Sequence, residues 1–159
     1  MNQKKSNAII GGMLWLKMGN RNMQTAIDLS GLGLDQIEEQ EDAFSIGCMC
    51  TLRQLEMHEA LNLYFGGAMK ACTRHIVGTQ FRNGATVGGS IFGRFGFSDI
   101  LTCLLALDTY VELYHAGVIA LSEFVEMPRD NDILVRIIIK NDGRRLHIGH
   151  TVRRRRISR

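Results

Sequence analysis

The sequence predicts an α+β protein in two lobes, a small N-terminal α/β lobe followed by a larger α+β lobe with antiparallel strands. Two short apolar runs near the N-terminus, one of them ending in a glycine pair, flank a segment of mixed helical spacing. Beyond residue 109 the apolar period changes from 3.6 to 2, and a hairpin signal follows. These observations place the first lobe over residues 1–60, the second over residues 61–143 and a basic tail over residues 144–159.

Asn7 to Ile10 is expected to be a short buried strand running into Gly11-Gly12, and Thr25 to Leu29 a second strand. The segment between them is helical in part, and Ala43 to Gly47 makes a third strand. Thr51-Leu52-Arg53-Gln54 is a capping-box start, with a hydroxyl at the N-cap and Gln three residues on. Leu52, Leu55, Ala60 and Leu63 form the apolar stripe of one helix, which Gly66-Gly67 ends. A further helix is expected over Ala68 to Ile76. Ser98 is the N-cap of another over Asp99 to Thr109, with Ile100, Leu101, Leu104 and Leu105 on its packed face. Tyr110 to Tyr114 and Val118 to Leu121 flank His115-Ala116-Gly117 as a hairpin. Ile133 to Lys140 is the last strand, closed by Asn141-Asp142-Gly143.

With 159 residues the chain is long enough for one domain, or for two small lobes that share a core. Apolar residues make up 45% and charged residues 22%, the balance of a soluble globular protein. No apolar run reaches the roughly 18 residues of a membrane helix, and the short segment Ala8 to Leu16 is broken by two glycines, unlike a secretory signal. Cys48, Cys50, Cys72 and Cys103 form no C-x-x-C pair, so reduced thiols in a cytoplasmic protein are expected. The net charge of +3 belongs to the tail, where residues 144–159 hold seven arginines and no acid. The remaining chain has twelve Lys/Arg against sixteen Asp/Glu, or −4, which argues against a nucleic-acid binder. A basic arm that binds polyanions through residues 144–159 stays open as a separate reading.

The most informative stretch is Gln80-Phe81-Arg82-Asn83-Gly84-Ala85-Thr86-Val87-Gly88-Gly89-Ser90-Ile91, followed by Ser98-Asp99. Adjacent glycines let backbone approach a ligand, and successive amides in such a loop form an anion-binding nest. A carboxylate beside it repels phosphate but suits a ribose hydroxyl. The pattern reads as a nucleotide site. The plainer reading is a tight turn at Gly88-Gly89, with Asp99 serving the helix dipole. Gly11-Gly12 reads equally as a strand-to-helix turn, and Trp15 as a core residue. Cys48-x-Cys50 supplies too few ligands for a metal, and the five histidines share no spacing. No constellation for nucleophilic or acid–base catalysis is present, so no catalytic residue is assigned.

The segment from His75-Ile76-Val77-Gly78 through Asp99-Ile100-Leu101 resembles the flavin (medium) subunit of the molybdenum hydroxylases, the xanthine dehydrogenase, nicotinate dehydrogenase and CO dehydrogenase flavoprotein group. That family carries an R-N-x-A-T-x-G-G-N/S-I loop followed by S-D-L/I. Ile10-Gly11-Gly12-Met13-Leu14-Trp15 corresponds to its A-G-G-T-D-L loop, with Met13 and Leu14 in place of Thr and an acid. Ala26-Ile27-Asp28-Leu29-Ser30 and Phe44-Ser45-Ile46-Gly47 with Thr51-Leu52 match further steps, in order, from about Ile9 to about Lys140.

The resemblance implies FAD as cofactor. It assigns FAD binding to Ile10, Gly11, Gly12, Met13, Leu14, Ala85, Thr86, Gly88, Gly89 and Ser90, with Ser98 and Asp99 toward the ribose and Ile76 and Leu134 beside the flavin ring. It also implies an electron-transfer subunit that works with an iron–sulfur subunit and a molybdopterin subunit and passes electrons through FAD to an acceptor such as NAD. The family extends beyond both ends of the match, and at the C-terminal end the match gives way to the arginine run. Truncation or a frameshift is the expectation there. The alternative function is a non-catalytic remnant that keeps the fold or a partner interface.

Overall fold

A computed structural model describes residues 7–20, 22–128 and 132–141. The expected turn beyond Asn141 and the basic tail lie outside these residues. Strand β1 (Asn7–Ile10) pairs in parallel with β2 (Thr25–Asp28), from Asn7 opposite Thr25 to Ile10 opposite Asp28. Helix α1 (Leu14–Met18) makes the crossover and buries none of its residues fully. This small parallel unit is the α/β part of the fold.

A 3-10 turn at Ser30–Leu32 leads into an antiparallel sheet of order β3-β4-β7-β5-β6. Its members are β3 (Ile37–Glu39), β4 (Ala43–Gly47), β5 (Thr109–Leu113), β6 (Gly117–Ala120) and β7 (Leu134–Lys140). Every residue of β4 is buried, whereas β5 alternates buried and half-buried positions. The alternation presents one face of β5 to the core. β7 is central: Phe44 stands opposite Ile139, Ile46 opposite Ile137, and Val111 opposite Ile137 from the other side.

Seven further helices are described: α2 (Leu52–Met57), α3 (Glu59–Tyr64), α4 (Ala68–Thr73), α5 (Thr79–Gly84), α6 (Val87–Phe92), α7 (Asp99–Leu105) and α8 (Leu121–Glu126). Leu55, Leu61, Phe65, Met69, Ile91, Ile100, Leu104 and Phe124 from this layer and its loops join Phe44, Ile46, Val111 and Ile137 in one buried cluster. The predicted α+β class with antiparallel strands is thus observed. Position 60 falls inside α3, and β3 and β4 stand in the same sheet as β5 to β7.

Several expected elements differ in extent. The helix expected from Leu52 to Gly66 is two helices, because His58 takes an extended conformation (φ −71°, ψ 110°). Its Nδ1 accepts from the Leu61 amide at 3.2 Å, so the imidazole caps α3 where no break was expected. The helix from Asp99 ends at Leu105, and Thr109 already opens β5. No helix among the described residues is long and apolar enough to cross a membrane.

Candidate functional site

The chain at Cys48 to Leu52 lies antiparallel to Ala85 to Gly88. The Leu52 amide donates to Ala85 O at 2.8 Å, Val87 to Cys50 O at 2.8 Å and Gly88 to Cys48 O at 2.9 Å. Thr86 sits at the N-cap of α6, where Oγ1 accepts from the Gly89 amide at 3.2 Å. Ser90 Oγ donates back to Thr86 O at 3.0 Å.

This arrangement corrects the expectation of an open glycine nest. Gly88 and Gly89 lie in the first turn of a helix, and neither takes a positive φ. The amides of Val87, Gly88 and Gly89 already have protein acceptors. Glycine is required at 88 by space, since a Cβ there would meet Cys48 Cβ and Cys48 O at 2.6 Å each.

The first glycine segment meets the second. A Cβ on Gly11 would stand 2.6 Å from Thr86 Oγ1, and one on Gly12 would stand 1.4 Å from Gly84 O. The turn from β1 to α1 therefore rests on the turn from α5 to α6, with backbone against backbone. Met13 follows in the left-handed region at φ 60°, ψ 2° and opens α1 without a side-chain cap. Such a conformation costs a non-glycine residue about 1–2 kcal/mol. Among the described residues no protein acceptor meets the amides of Gly12 and Met13.

A cavity of about 430 Å³ opens at this junction. It gathers Ile10, Gly11, Gly12, Met13, Leu14, Ala85, Thr86, Gly88, Gly89, Ser90 and Leu134 of the expected residues. Asn7, Ala8, Ile9, Trp15, Leu16, Ile27, Leu29, Cys48, Met49, Phe92, Gly93, Phe95, Asp132 and Ile133 complete the wall. Ile27 and Leu29 belong to the Ala26-Ile27-Asp28-Leu29-Ser30 match, Trp15 and Cys48 to motifs already named, and Asn7, Ala8, Ile9 and Ile133 to expected strands, whereas Leu16, Met49, Phe92, Gly93, Phe95 and Asp132 lie in no motif. Trp15 was expected in the core but is 55% exposed.

The structure does not bring Ile76, Ser98 and Asp99 into this wall. Ile76 lies in the turn after α4, where its carbonyl accepts from Arg82 Nη1 at 3.2 Å. Ser98 caps α7, its Oγ accepting from the Leu101 amide at 3.2 Å, and Asp99 stands exposed in the first turn.

Asp132 is the one carboxylate in the wall, and it faces protein donors. It accepts from the amides of His115 at 2.9 Å, Ala116 at 2.9 Å and Ile133 at 2.7 Å. Burial pushes its pKa up, but these amides outweigh burial and hold the carboxyl below its ordinary value. Burial raises the thiols of Cys48 and Cys50 to about 11, so both are neutral packing groups near neutral pH. No group of His, Cys, Asp and Glu able to hold a metal occurs among the described residues.

A concave, largely apolar cavity where two glycine segments meet is the kind of site that takes a small-molecule cofactor. The chain belongs to the family described as the FAD binding domain in molybdopterin dehydrogenase, whose model matches residues 2–141. It is 30% identical over 119 residues to the protein YgfM of Escherichia coli (strain K12), covering 75% of this chain and 44% of YgfM. Its fold matches quinoline 2-oxidoreductase from Pseudomonas putida 86 at TM-score 0.76 and 19% identity, over 85% of this chain and 52% of that one. Carbon monoxide dehydrogenase from Hydrogenophaga pseudoflava matches at TM-score 0.77 and 18% identity, over 86% and 52%. The chain thus spans about half the length of these structures, at 52% each, and less than half of YgfM, at 44%.

FAD is the cofactor of this family, and the residues present fit it. The cavity is within the roughly 300–1,000 Å³ range of cofactor and ligand sites, and the amides of Gly12 and Met13, both residues of its wall, meet no protein acceptor among the described residues.

Proposed function

We propose that this chain is the FAD-binding, electron-transfer part of a molybdenum hydroxylase of the xanthine dehydrogenase type, acting in the cytoplasm. Its partners in this reading are an iron–sulfur subunit and a molybdopterin subunit, with an electron acceptor such as NAD. The observation that carries it is the meeting of the two glycine segments at Thr86, within a chain that matches the family across residues 2–141.

When bound, FAD supplies the exchange of electrons between donor and acceptor, and the protein supplies binding and orientation. The turn Gly11-Gly12-Met13 and the start of α6 at Thr86, Val87 and Gly88 receive the diphosphate, with the amides of Gly12 and Met13 as donors. This reverses the expectation that Gly88-Gly89 is the main diphosphate contact and Gly11-Gly12 the lesser one, because the Gly88 and Gly89 amides are engaged within the protein. Asp99, capped into position by Ser98, takes the adenosine ribose. Leu134, Ile10 and Leu14 exclude water from the cavity, and Ile76 stands at the flavin end. No side chain of the wall is needed as a general acid or base.

The purified chain tests this directly. A yellow protein with flavin absorbance, or a colourless one that takes up FAD stoichiometrically, is the expected result. A colourless chain that FAD cannot reconstitute would leave the second reading, a non-catalytic remnant that keeps the fold or a partner interface.

A further inference from the structure

Trp15, the single tryptophan of the chain, is held on α1 by other aromatic rings rather than by the core. Its ring centroid lies 6.3 Å from Phe81, 6.1 Å from Phe95 and 6.1 Å from Phe97. Phe95 and Phe97 are stacked, with centroids 5.2 Å apart and planes at 17°. Yet Trp15 is 55% and Phe97 70% exposed. Clustered, partly exposed rings of this size mark a binding surface more often than scattered surface apolar residues do.

The loop between α6 and α7 is built to present these rings. The Phe95 ring packs close over Gly93, where an added Cβ would stand 2.5 Å from Phe95 Cε2 and push the ring aside. Arg94 takes φ 47°, sets its guanidinium 4.0 Å over the Phe124 ring and donates to the Met127 carbonyl. Arg94 thereby ties the loop inward while Phe95 stays half-buried in the cavity wall and Phe97 stands exposed. The cluster is continuous with the cofactor cavity, since Trp15 and Phe95 both line it. It also adjoins the proposed ribose site, because Ser98 and Asp99 follow Phe97 directly.

We infer that Trp15, Phe95 and Phe97 form a stacking shelf for the adenine ring of FAD. The inference rests on the FAD reading given above and adds a subsite that the glycine segments do not supply. Adenine is flat, uncharged and tethered to the ribose assigned to Asp99, so it meets the shelf through a π-face and needs no hydrogen-bond partner there. Stacking of this kind accepts the ring without reading its edge.

ADP is the probe, because it carries adenine and diphosphate without a flavin that would quench tryptophan by energy transfer. Saturable quenching of Trp15 emission by ADP, reversed when ADP is removed by dialysis, is expected in the flavin-free full chain. Phe97→Ala should weaken FAD and ADP roughly tenfold, the scale of one lost base–aromatic stack, and leave FMN within about twofold. Phe97 is exposed, so the variant keeps its fold, which its unchanged melting temperature verifies. If FAD binds the wild type but ADP leaves Trp15 emission flat, or Phe97→Ala leaves FAD affinity unchanged, the shelf is refuted and the FAD reading stands. A change in oligomeric mass with unaltered FAD affinity also refutes it and makes the cluster an interface between copies. Failure of the wild type to bind FAD at all removes both.

Discussion

Arg82 Nε donates to Glu56 Oε2 at 2.8 Å, and both side chains are buried, at 7% and 6% exposure. Arg82 belongs to the motif that suggested a cofactor loop, and its buried guanidinium is taken up by protein acceptors. Its Nη1 donates to Ile76 O at 3.2 Å and its Nη2 to Thr79 Oγ1 at 3.3 Å. Arg53 Nη1 approaches the same Glu56 oxygen at 2.9 Å from the surface side. The guanidinium therefore clamps α5 to α2 and fixes the turn that carries Ile76.

Removing one partner of such a pair leaves a buried charge without compensation. Arg82→Leu should cost about 3 kcal/mol, which for a chain of this size is a fall of about 10 °C in melting temperature. Arg53 keeps part of the charge on Glu56 paired, so the loss stays at the lower end of the range. The double variant Arg82→Leu with Glu56→Leu should recover part of the loss. A double variant no more stable than Arg82→Leu alone would show that the pair is not the cause.

The pH dependence follows from two carboxyls. Burial raises Glu56, but hydrogen bonds and charge from Arg53 and Arg82 prevail, so its folded-state pKa lies below the ordinary 4.5. Asp132 lies below 3.8 because three amides outweigh its burial. A depressed carboxyl pKa gives stability that is complete above the ordinary value and is lost as pH falls through the folded-state value. Melting temperature should therefore hold above about pH 5 and decline below the ordinary range. Asp132→Asn should flatten part of that decline, measured by thermal melts across the acid range. A wild type and variant with parallel acid profiles would assign the decline to other groups.

The sequence made visible what is decided locally. Thr51 and Gln54 form both hydrogen bonds of the capping box they spell, because cap and partner are three residues apart. Ser98 caps α7 for the same reason. β3 went unseen because Ile37-Glu38-Glu39 offers a single apolar residue, and its pairing with β4 alone makes it a strand. α6 was hidden by its two glycines, which disfavour helix in isolation. There the Thr86 cap and the backbone of Cys48 to Leu52 decide the conformation, and these come from elsewhere in the chain. The glycine segments of the cavity were legible as motifs. Met49, Phe92 and Phe95 were not, since an apolar wall has no spacing of its own.

The glycines should separate by what their missing Cβ would meet. Gly12→Ala drives a methyl to 1.4 Å from Gly84 O, a backbone atom that cannot move aside cheaply, so it should destabilise the chain and abolish FAD retention together. Gly88→Ala meets Cys48 at 2.6 Å and should cost about 1–3 kcal/mol through overpacking. Gly89 is exposed, and its Cβ would stand 3.0 Å from Thr86 Oγ1. Gly89→Val should therefore lose FAD while keeping its melting temperature within a few degrees. Retained FAD affinity in that variant would exclude the start of α6 from the site.

Asp99 is exposed in the first turn of α7 and is not among the residues of the cavity wall, so its assignment to the ribose makes a sharp claim about cofactor form. FAD has an adenosine ribose and FMN has none. Asp99→Ala should weaken FAD roughly tenfold, the loss of a hydrogen bond to a charged acceptor, while FMN and riboflavin stay close to wild type. The competing role is favourable charge at a helix N-terminus, worth about 0.3–1 kcal/mol, which acts on stability alone. Asp99→Asn separates the two, since the amide keeps an acceptor oxygen for the ribose and removes the charge. Partial rescue of FAD affinity by Asn, with melting temperature lowered equally in both variants, is the outcome expected of a ribose ligand. Equal losses for FAD and FMN, tracking the melting temperature, would return Asp99 to the helix dipole.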